Sequence, residues 1–560
     1  MSGRTRRWNG WGFVGEEVDF PAGARAWLSE RLGNGEPLSC RSEEDVEVPA
    51  ALPLPEFECE VRADREARLH HACGQSFADL VALRAGQIAG FPDAVLLPAD
   101  APEVVGALET AARAGVAVIP RGGGTSVVGG VTVTPHERPA VVLSLARLDR
   151  LEALDRVSLL ASFGAGTTGP QVEGALAHVG LRLGHEPQSF ELSTVGGWIA
   201  TRSAGHRSTG VGKIEDLVAG LEVATARGLW KLPPQPASAA GPELRRLLAG
   251  SEARAGVITS ATLRVRDVPA SEDGAVVLFP SWESGVSACR DLLQSQVPLE
   301  VLRLSDVTET EFGRAILELS PIVRRASRWL LGRPRWRSAS SLLLGWAGDA
   351  RQVRQARGAA LALCRRHDGL SVGRSGWRRW RHERFRHPYL RDALLDHGWG
   401  VDTLETATPW RALPSLHVEV GKALEEAAQG LGVRVATLCH LSHAYRDGAS
   451  LYFTFFWPMA AGRELDQWAE LKAAATEALL QAGGTLSHHH GVGSMHARYL
   501  EREIGECGVR ALRALAGALD PEGILNPGVL VPRTTGIDRR QGSAAHVPVA
   551  APPVPAEGER

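Results

Sequence analysis

The chain has 560 residues, of which 44% are hydrophobic and 22% charged, and its formal net charge at pH 7 is −2. This length exceeds what one hydrophobic core supports, so we expect two or three domains of an ordinary globular protein. The nearly balanced charge argues against a dedicated nucleic-acid binder.

The seven cysteines are scattered and include no C-x-x-C pair. This pattern indicates free thiols in a reducing compartment rather than a disulfide framework or a structural zinc site. The N-terminus lacks the apolar stretch of a signal peptide, and no run of 18 apolar residues occurs. We therefore expect a cytoplasmic protein, with peripheral membrane contact left open.

The first half of the chain predicts a strand-rich α+β unit after a mixed segment at residues 1–90. Residues 92–98 predict a strand, 101–114 an amphipathic helix, 115–119 a buried β-branched strand and 140–144 another strand. A strand over 157–163 and a helix that begins near Gly169 follow, and residues 263–265 close the unit.

A glycine-rich stretch, PRGGGTSVVGG at residues 120–130, follows the strand over 115–119. Three consecutive glycines can adopt positive φ and leave the backbone bare, so that its N–H groups can turn together toward an anion such as a pyrophosphate. A tight turn with close backbone packing is the alternative. The spacing fits neither the Rossmann nor the P-loop fingerprint.

A second polar stretch, GHEPQSFELSTVGGW at 184–198 and TRSA at 201–204, is dense in hydroxyls, small residues and glycines. This composition does not suit a packed helix and favours a backbone that follows an extended polar ligand. An ordinary polar loop is the alternative.

Residues 270–480 predict a second unit, an α/β cap. Strands over 276–279, 342–346 and 450–456 alternate with helices over 281–294, 350–367 and 466–482. Within it, residues 320–337 contain six Arg and two Trp. Such a surface either docks on anionic lipid headgroups or forms a solvated, Arg-rich connection.

Two further clusters carry acid–base groups. Tyr452, in the predicted strand SLYFTFF, either packs or acts as an acid or base, and the second role needs its pKa of about 10 lowered by a nearby cation. His488, His489 and His490 are consecutive, and side chains alternate faces along a strand, so we predict that they do not bind a metal ion. Imidazoles around one substrate suit proton transfer near neutral pH. A surface run of histidines is the alternative.

Together, the motifs PRGGGTSVVGG, GHEPQSFELSTVGGWIATRSAG, IEDLVAGLEVAT, GASLYFTFFW, SHHHGVG and DPEGILNPG resemble those of the alkyldihydroxyacetonephosphate synthase family, in the vanillyl-alcohol-oxidase group of FAD flavoproteins. The likeness implies an α+β fold, with a two-subdomain FAD-binding domain of the PCMH type and an α/β cap domain that contains an antiparallel sheet. The implied units are an N-terminal segment at 1–90, the FAD-binding domain at 91–268, the cap at 269–482, a C-terminal segment at 483–534 that returns to the active site, and a disordered tail at 535–560.

The resemblance also implies FAD as the cofactor, held non-covalently because the glycine loop has no His for flavin attachment. The residues that carry over as its contacts are Pro120, Arg121, Gly122, Gly123, Gly124, Thr125, Ser126, Gln188, Ser189, Phe190, Glu191, Leu192, Ser193, Thr194, Thr201, Arg202, Ser203, Ala204, Glu252, Ala253, Arg254, Ala255, Gly256, Val257 and Ile258. The chain departs from the family in two places. The family reads GSEGTLGVIT where this chain has GSEARAGVIT at 250–259, and Arg121 stands where an apolar residue is common.

The reaction implied by the resemblance is an exchange. Acyl-dihydroxyacetone phosphate loses its fatty acid, and a long-chain alcohol replaces it as an ether, through an adduct on flavin N5 with no net redox change. Tyr452 carries over as the acid/base residue, and His488, His489 and His490 as essential histidines. Arg303 carries over as an arginine needed for activity, and Arg391 as the substrate-binding arginine. A phosphate monoester favours Arg, and cations near Tyr452 are expected to lower its pKa.

Two other functions stay open. One is an FAD-dependent dehydrogenase or oxidase of the same fold that acts on a 2-hydroxy acid such as D-lactate or glycolate, typically with a His/Glu metal set in its cap. The other is a flavoprotein without catalysis, supported by the altered loop at 250–259. The contiguous histidines and the SLYFTF strand favour ether-lipid synthesis. The C-terminus, GER, carries no peroxisomal signal, and we expect a homodimer.

Overall fold

The computed structural model describes residues 4–135, 138–317, 325, 329 and 331–532. Across these residues the chain is a mixed helix-and-sheet protein, which confirms the α+β prediction. The tail predicted at 535–560 lies outside the described residues. None of the helices in the described ranges is long and apolar enough to cross a bilayer.

The first half of the chain contributes eleven short strands and nine helices to the described structure. The strands are β1 (Glu60–Arg62), β2 (Ala94–Leu97), β3 (Ala117–Arg121), β4 (Ala140–Ser144), β5 (Leu151–Asp155), β6 (Leu160–Gly164), β7 (Leu181–Arg182), β8 (Val218–Thr225), β9 (Gly228–Leu232), β10 (Val257–Arg264) and β11 (Arg266–Asp267). The helices are α1 (Ala22–Leu32), α2 (Arg65–His70), α3 (Phe77–Ala85), α4 (Ala101–Ala114), α5 (Gly169–Ala177), α6 (Val195–Ala200), α7 (Ser208–Val211), α8 (Ile214–Leu217) and α9 (Leu244–Leu248).

The second half has longer elements. Its strands are β12 (Ser271–Phe279), β13 (Val301–Ser305), β14 (Ser340–Gly348), β15 (Leu370–Gly373), β16 (Trp399–Pro409), β17 (Ala436–Ala444) and β18 (Gly448–Pro458). Its helices are α10 (Trp282–Gln294), α11 (Val307–Ile316), α12 (Ala350–Arg366), α13 (Ser375–Glu383), α14 (Leu390–Asp396), α15 (Leu413–Gly430), α16 (Glu464–Gln481) and α17 (Leu500–Leu519).

A four-stranded sheet in the order β1-β2-β4-β3 carries the glycine loop at its edge. β2, β4 and β3 pair in parallel, because α4 returns the chain between β2 and β3. The carboxylate of Asp100 accepts the N–H of Glu103 to cap α4, and Gly115 ends it with a left-handed φ of 68°. The glycine loop therefore leaves β3 at the carboxyl end of a parallel strand, where ligands commonly bind.

A second, five-stranded sheet in the order β5-β6-β10-β8-β9 is antiparallel and shares a core with the first. The strand predicted from Val157 begins only at Leu160. Val157 and Ser158 lie in a turn, because their N–H groups bond to the carboxylate of Asp155. The two sheets are the two subdomains expected of this half.

The cap is a seven-stranded antiparallel sheet in the order β15-β12-β14-β13-β17-β18-β16. Along β18, Leu451, Phe453, Phe455 and Trp457 are buried in the core that the sheet forms with α10, α12, α15 and α16. The alternate side chain of Tyr452 points to the opposite face, because successive strand residues alternate. That face borders a large cavity. The domain boundaries given above stay predictions.

Candidate active site

A cavity of about 1100 Å³ lies between the two halves, near the upper end of the size of small-molecule sites. Both predicted polar stretches and the inner face of the cap sheet line it. The predicted cofactor residues on its wall are Pro120, Arg121, Gly122, Gly123, Gly124, Thr125, Ser126, Gln188, Ser189, Ser193, Thr194, Thr201, Ser203, Ala204, Glu252, Ala253, Gly256, Val257 and Ile258.

The glycine loop packs directly on the second polar stretch. A Cβ on Gly122 would lie 2.1 Å from Thr194 Oγ1, and one on Gly123 would lie 1.9 Å from the carbonyl oxygen of Leu192. Side chains at these positions would push the two segments apart. The sequence left open whether the glycine loop packs closely or binds a ligand. It does the first and can do the second, because the close contact between the two segments places both on one cavity wall.

The wall contains a polar atom that suits a bound cofactor. Thr194 precedes α6 as its N-cap residue, and its buried Oγ1 has no hydrogen-bond partner among the described residues. A buried hydroxyl of this kind requires a partner, which a bound phosphate oxygen can supply. This donor and the size of the cavity therefore fit a dinucleotide such as FAD.

Six predicted cofactor residues do not line the cavity: Phe190, Glu191, Leu192, Arg202, Arg254 and Ala255. Phe190 stacks on Phe385 at 4.8 Å, and the carboxylate of Glu191 accepts the hydroxyl of Tyr389 at 2.9 Å. Arg202 forms an ion pair with Glu215 at 3.0 Å. Leu192 and Ala255 are buried in apolar clusters, and Arg254 donates to the carbonyl of Leu525.

Arg121, which departs from the family, is a structural residue. Its guanidinium donates to the carbonyl oxygens of Cys73 at 2.8 Å and His70 at 3.3 Å. Burial lowers its pKa to about 10, so it stays cationic at neutral pH. Its two terminal nitrogens therefore link the glycine loop to the N-terminal segment instead of binding a ligand together.

The histidine run wraps around one buried carboxylate, that of Glu405. The backbone N–H groups of His488, His489 and His490 donate to it at 2.6, 3.0 and 2.9 Å, and the hydroxyl of Ser487 donates at 2.7 Å. Burial would raise the pKa of Glu405, but the histidines around it hold that pKa well below its usual range. Glu405 was not predicted, because nothing in its local sequence marks it.

The expectation that strand alternation keeps the three imidazoles apart is wrong, because the run is an irregular bend and not a strand. The rings of His488 and His489 lie 5.3 Å apart, and those of His489 and His490 lie 4.6 Å apart. Ligand atoms of Glu405, His488 and His489 lie within 4.8 Å of one another, a spacing that could hold a metal ion. Since the carboxylate of Glu405 already accepts four hydrogen bonds, we interpret its role as holding the backbone of the histidine run in place. The absence of a metal ion stays a prediction.

A second buried carboxylate, that of Glu252, holds the end of the same segment. It accepts the N–H of Val492 at 2.7 Å and that of Gly493 at 2.8 Å. Burial is the largest influence and raises the pKa of Glu252 to about 7. Glu252 and the next residue, Ala253, adopt left-handed φ values of 48° and 67°. Where the family has Gly, Ala253 therefore holds a backbone shape that favours Gly.

Tyr452 faces this run across the cavity. Its ring lies 6.0 Å from that of His489 and 5.6 Å from that of His490. Burial raises its pKa to about 12, outweighing the opposing influence of Arg303. Arg303 lowers this pKa, as expected of a nearby cation, but desolvation of the phenolate dominates and the net shift is upward.

Arg303 belongs to a compact group beside Tyr452. Its Nη2 donates to Glu309 at 2.6 Å and lies 3.2 Å from Nδ1 of His440, which is 3.1 Å from the same carboxylate. The ring of His440 stacks on that of Tyr452 at 4.9 Å. His440 was not predicted, although its position directly opposite Tyr452 on the neighbouring strand would have marked it had the register been known.

Arg391 lines the cavity near its N-terminal wall. Two of its nitrogens donate to Gln75, at 2.6 Å to the backbone carbonyl and 2.8 Å to the side chain. Its Nε is buried without a hydrogen-bond partner among the described residues. The predicted site residues Tyr452, Arg303, Arg391, His489 and His490 thus border one cavity, whereas His488 lies just behind its wall, 2.6 Å from the hydroxyl of Tyr445.

Comparisons with known proteins agree with this arrangement. Two protein-family models match the chain. The family model described as an FAD binding domain matches residues 92–231, and the one described as the C-terminal domain of FAD linked oxidases matches residues 268–530. The chain is 30% identical to the alkyldihydroxyacetonephosphate synthase of Dictyostelium discoideum, over 87% of this chain and 83% of that one. It is 32% identical to the enzyme of the same name from Trypanosoma brucei brucei, over 84% and 78% of the two chains.

Solved structures extend the likeness to three dimensions. A crystal form of alkyldihydroxyacetonephosphate synthase matches with a TM-score of 0.81 and 26% identity, covering 93% of this chain and 98% of that one. p-Cresol methylhydroxylase matches with a TM-score of 0.65 at 15% identity, over 84% and 94% of the chains, and shares the fold. Glycolate oxidase subunit GlcD of Bacillus subtilis is 27% identical over 79% of this chain and 89% of its own.

Proposed function

The chain belongs to the alkyldihydroxyacetonephosphate synthase family of FAD-linked flavoproteins, and we propose that its cavity exchanges the acyl chain of acyl-dihydroxyacetone phosphate for a long-chain alcohol. The observation that carries the proposal is the convergence of Tyr452 with His489 and His490 on one cavity. The opposite wall of that cavity is built from the predicted cofactor segments. Acid–base groups and a cofactor site therefore meet where a substrate can lie between them.

The glycine loop, the segment at 193–194 and the start of α6 are the parts of the wall that would hold FAD. Thr194 Oγ1 is a suitable donor for its phosphates. When bound, FAD supplies the electrophile of the reaction. Binding without a covalent link follows from the absence of a His within 120–126.

The exchange requires a base that removes a proton from C1 of the substrate. His490 fits this role by position, because its ring lines the cavity 5.6 Å from that of Tyr452. Burial lowers the pKa of the imidazole, so the ring is neutral, and an anionic substrate beside it raises that pKa toward the range of an effective base. Glu405 holds the backbone of His490 and its two neighbours in place. The imidazoles are thus positioned before the substrate binds.

The fatty acid leaves as a carboxylate, and the phenol of Tyr452 can stabilise it by donating a hydrogen bond. With a pKa of about 12 the phenol is protonated at neutral pH and is an acid rather than a base in the resting enzyme. The incoming alcohol then gives up its O–H proton through the phenol of Tyr452 to the departing carboxylate, and His490 returns its proton to C1. One C–O bond at C1 replaces another, so the oxidation state of that carbon is unchanged and the cycle consumes no oxidant and no reductant.

An apolar arm of the cavity suits the hydrocarbon chains. Phe20 from the N-terminal segment, Phe312 from α11, Leu394 from α14 and Phe456 from β18 all line it. Their packing against α1 and the cap sheet excludes water from the path of the chain. One arm can hold the acyl chain before the exchange and the alkyl chain after it.

The proposal also includes peripheral membrane contact and a homodimer. Half of the predicted membrane-docking segment at 320–337 lies outside the described residues, which include Arg325, Trp329 and 331–337. The side chain of Trp329 is 63% exposed with Arg333 stacked on it at 3.8 Å, and Leu331 lines the cavity. A basic, aromatic surface beside the apolar arm supports docking on an anionic bilayer. A homodimer stays a prediction.

Anaerobic incubation of the yellow protein with acyl-dihydroxyacetone phosphate and hexadecanol tests the proposal. Release of fatty acid and formation of an alkyl ether without any electron acceptor would support the exchange. Acceptor-dependent oxidation of D-lactate or glycolate with no ether formed would select the oxidoreductase function instead. A colourless protein that binds neither substrate would select the flavoprotein without catalysis.

A further inference from the structure

Four basic side chains from four parts of the fold meet at one region of the cavity. His206 follows the second polar stretch, Arg303 lies on β13, His387 begins a turn before α14, and His440 lies on β17. All four line the cavity, and none except Arg303 belongs to the predicted site. We refer to these four residues as the basic cluster.

Their charges interact. Burial and the positive charges of the other members lower the pKa values of His206 and His387, and burial with Arg303 lowers that of His440. Three imidazoles are therefore neutral beside one guanidinium. Arg303 is itself paired with Glu309, so the cluster offers a ligand three imidazoles that can donate hydrogen bonds or take up protons, a set suited to an anion.

The counter-charges around the basic cluster are few and partly engaged. The charged or titratable groups that act on it are Glu309 and Asp306 near His440, Glu383 near His387, Arg384 near His206, His443 near His206 and His440, and Tyr452 stacked on His440. Glu309 is already bound by Arg303, Glu383 by Arg379, and Arg384 by Glu186. The net charge close to the imidazoles is therefore nearly zero, which leaves them able to take up protons.

One member also lacks a partner. Nε2 of His206 is buried and has no hydrogen-bond partner in the part of the chain that the structure describes. Its ring is held edge-on to Trp380 at 5.4 Å, so the nitrogen is fixed in direction. Such an atom on a cavity wall points to a ligand that accepts or donates a hydrogen bond there.

We propose that the phosphate group of the substrate binds between His206, His387, His440 and Arg303. A phosphate monoester carries between one and two negative charges near neutral pH and three strong acceptor oxygens, which match this set of donors. The proposal rests on the proposed function, because that function supplies the phosphate. It differs from the expectation for Arg391, since two nitrogens of that guanidinium are held by Gln75.

The location fits the chemistry. His440 stacks on Tyr452, so a phosphate in the basic cluster anchors the three-carbon unit beside the phenol that donates a hydrogen bond to the leaving group. Entry of the anion raises the pKa values of the three imidazoles, and they bind protons from solvent. Phosphate binding is therefore coupled to proton uptake and tightens as the pH falls from about 8 toward the second phosphate pKa of about 6.

The test uses the FAD-loaded protein and glycerol 3-phosphate as a probe without a hydrocarbon chain, with glycerol as its uncharged match. Calorimetry in two buffers of different ionisation enthalpy measures the affinity and the protons taken up. The expected result is binding of the phosphate but not of glycerol, with net proton uptake. His206→Gln and His387→Gln each weaken binding about tenfold, the scale of one lost hydrogen bond to a charged group. The exposed His382→Gln on α13 is the control and leaves binding unchanged.

A second measurement separates this proposal from the proposed function. In ether synthesis, both histidine variants raise KM for acyl-dihydroxyacetone phosphate about tenfold with a much smaller change in kcat, while the flavin absorption spectrum confirms folding. The basic cluster is rejected if Arg391→Gln abolishes phosphate binding while both histidine variants bind normally, or if binding takes up no protons. If the wild-type protein binds the probe with proton uptake but makes no ether, the phosphate site stands and the proposed function fails.

Discussion

Glu405 and Tyr452 lie directly opposite each other on the neighbouring antiparallel strands β16 and β18. Side chains so paired share one face of the sheet. The carboxylate of Glu405 holds the backbone of three histidines, while the ring of Tyr452 lies within 6.0 Å of two of their imidazoles. The strand pairing therefore sets the distance between the phenol and the histidine run.

Glu405→Gln should disable the exchange without unfolding the protein. The amide keeps the shape of the carboxylate but replaces one acceptor oxygen with a donor, which faces the N–H groups that Glu405 now accepts. We expect kcat to fall about 100-fold or more, because the imidazoles lose their alignment. Steady-state ether synthesis measures the loss, and Glu425→Gln on the exposed face of α15 is the matched control. Full activity in Glu405→Gln would contradict the role of Glu405 in positioning the histidines.

Tyr452→Phe should remove a proton donor and little else. We expect kcat to fall between about 100-fold and 10,000-fold, the usual range for a lost general acid, with FAD content unchanged. Because the pKa of Tyr452 is about 12, the wild-type rate should show no loss from phenol ionisation up to about pH 10. Tyr499→Phe, at a buried site away from the cavity, serves as the control. A variant with full exchange activity rules out the assigned role.

Glu252 should make the protein less stable as the pH rises. Its folded pKa of about 7 lies above the ordinary value of 4.5, so the unfolded chain loses this proton first. Its contribution to stability is complete below about pH 4.5 and is lost as the pH rises through 7, by about 3 kcal/mol in total.

Glu252→Gln cannot ionise and should flatten this part of the pH profile. Its melting temperature falls at low pH, where one bond to the N–H of Val492 or Gly493 is lost, but the decline from pH 5 to pH 8 becomes smaller than in wild type. Thermal unfolding of both proteins at several pH values measures the difference. Equal declines of melting temperature with pH in the two proteins would show that the carboxyl of Glu252 is not the source of the pH dependence.

Ala253→Gly should stabilise the protein. Ala253 has a φ of 67°, which costs an L-residue about 1 kcal/mol and costs Gly little. The neighbouring Ala255 is buried and lies outside the left-handed set, so Ala255→Gly removes a packed methyl group and lowers stability. Opposite shifts in melting temperature are expected for the two variants. A fall of equal size in the melting temperatures of both variants would show that the backbone at Ala253 is not strained.

The sequence predicted those parts of the site whose pattern is local. Alternation along β18 and a glycine loop after β3 are visible in short windows, and both proved to face the cavity. Glu405, Glu252 and His440 were not predicted as partners, because their contacts depend on strand register and on segments far apart in the chain. Glu405 lies 83 residues before His488, and Glu252 lies 240 residues before Val492. The net rise in the pKa of Tyr452 was not predicted for a related reason, since burial is a property of the whole fold.

Hexadecanol labelled with ¹⁸O at its hydroxyl tests the central claim, that this cavity exchanges one chain for another without net redox change. The labelled alcohol and acyl-dihydroxyacetone phosphate are supplied to the FAD-loaded protein under anaerobic conditions, and the products are analysed by mass spectrometry. The account predicts that the ether retains the ¹⁸O, that one unlabelled fatty acid is released for each ether formed, and that no electron acceptor is needed. Ether without the label, or turnover that requires an acceptor, would contradict it.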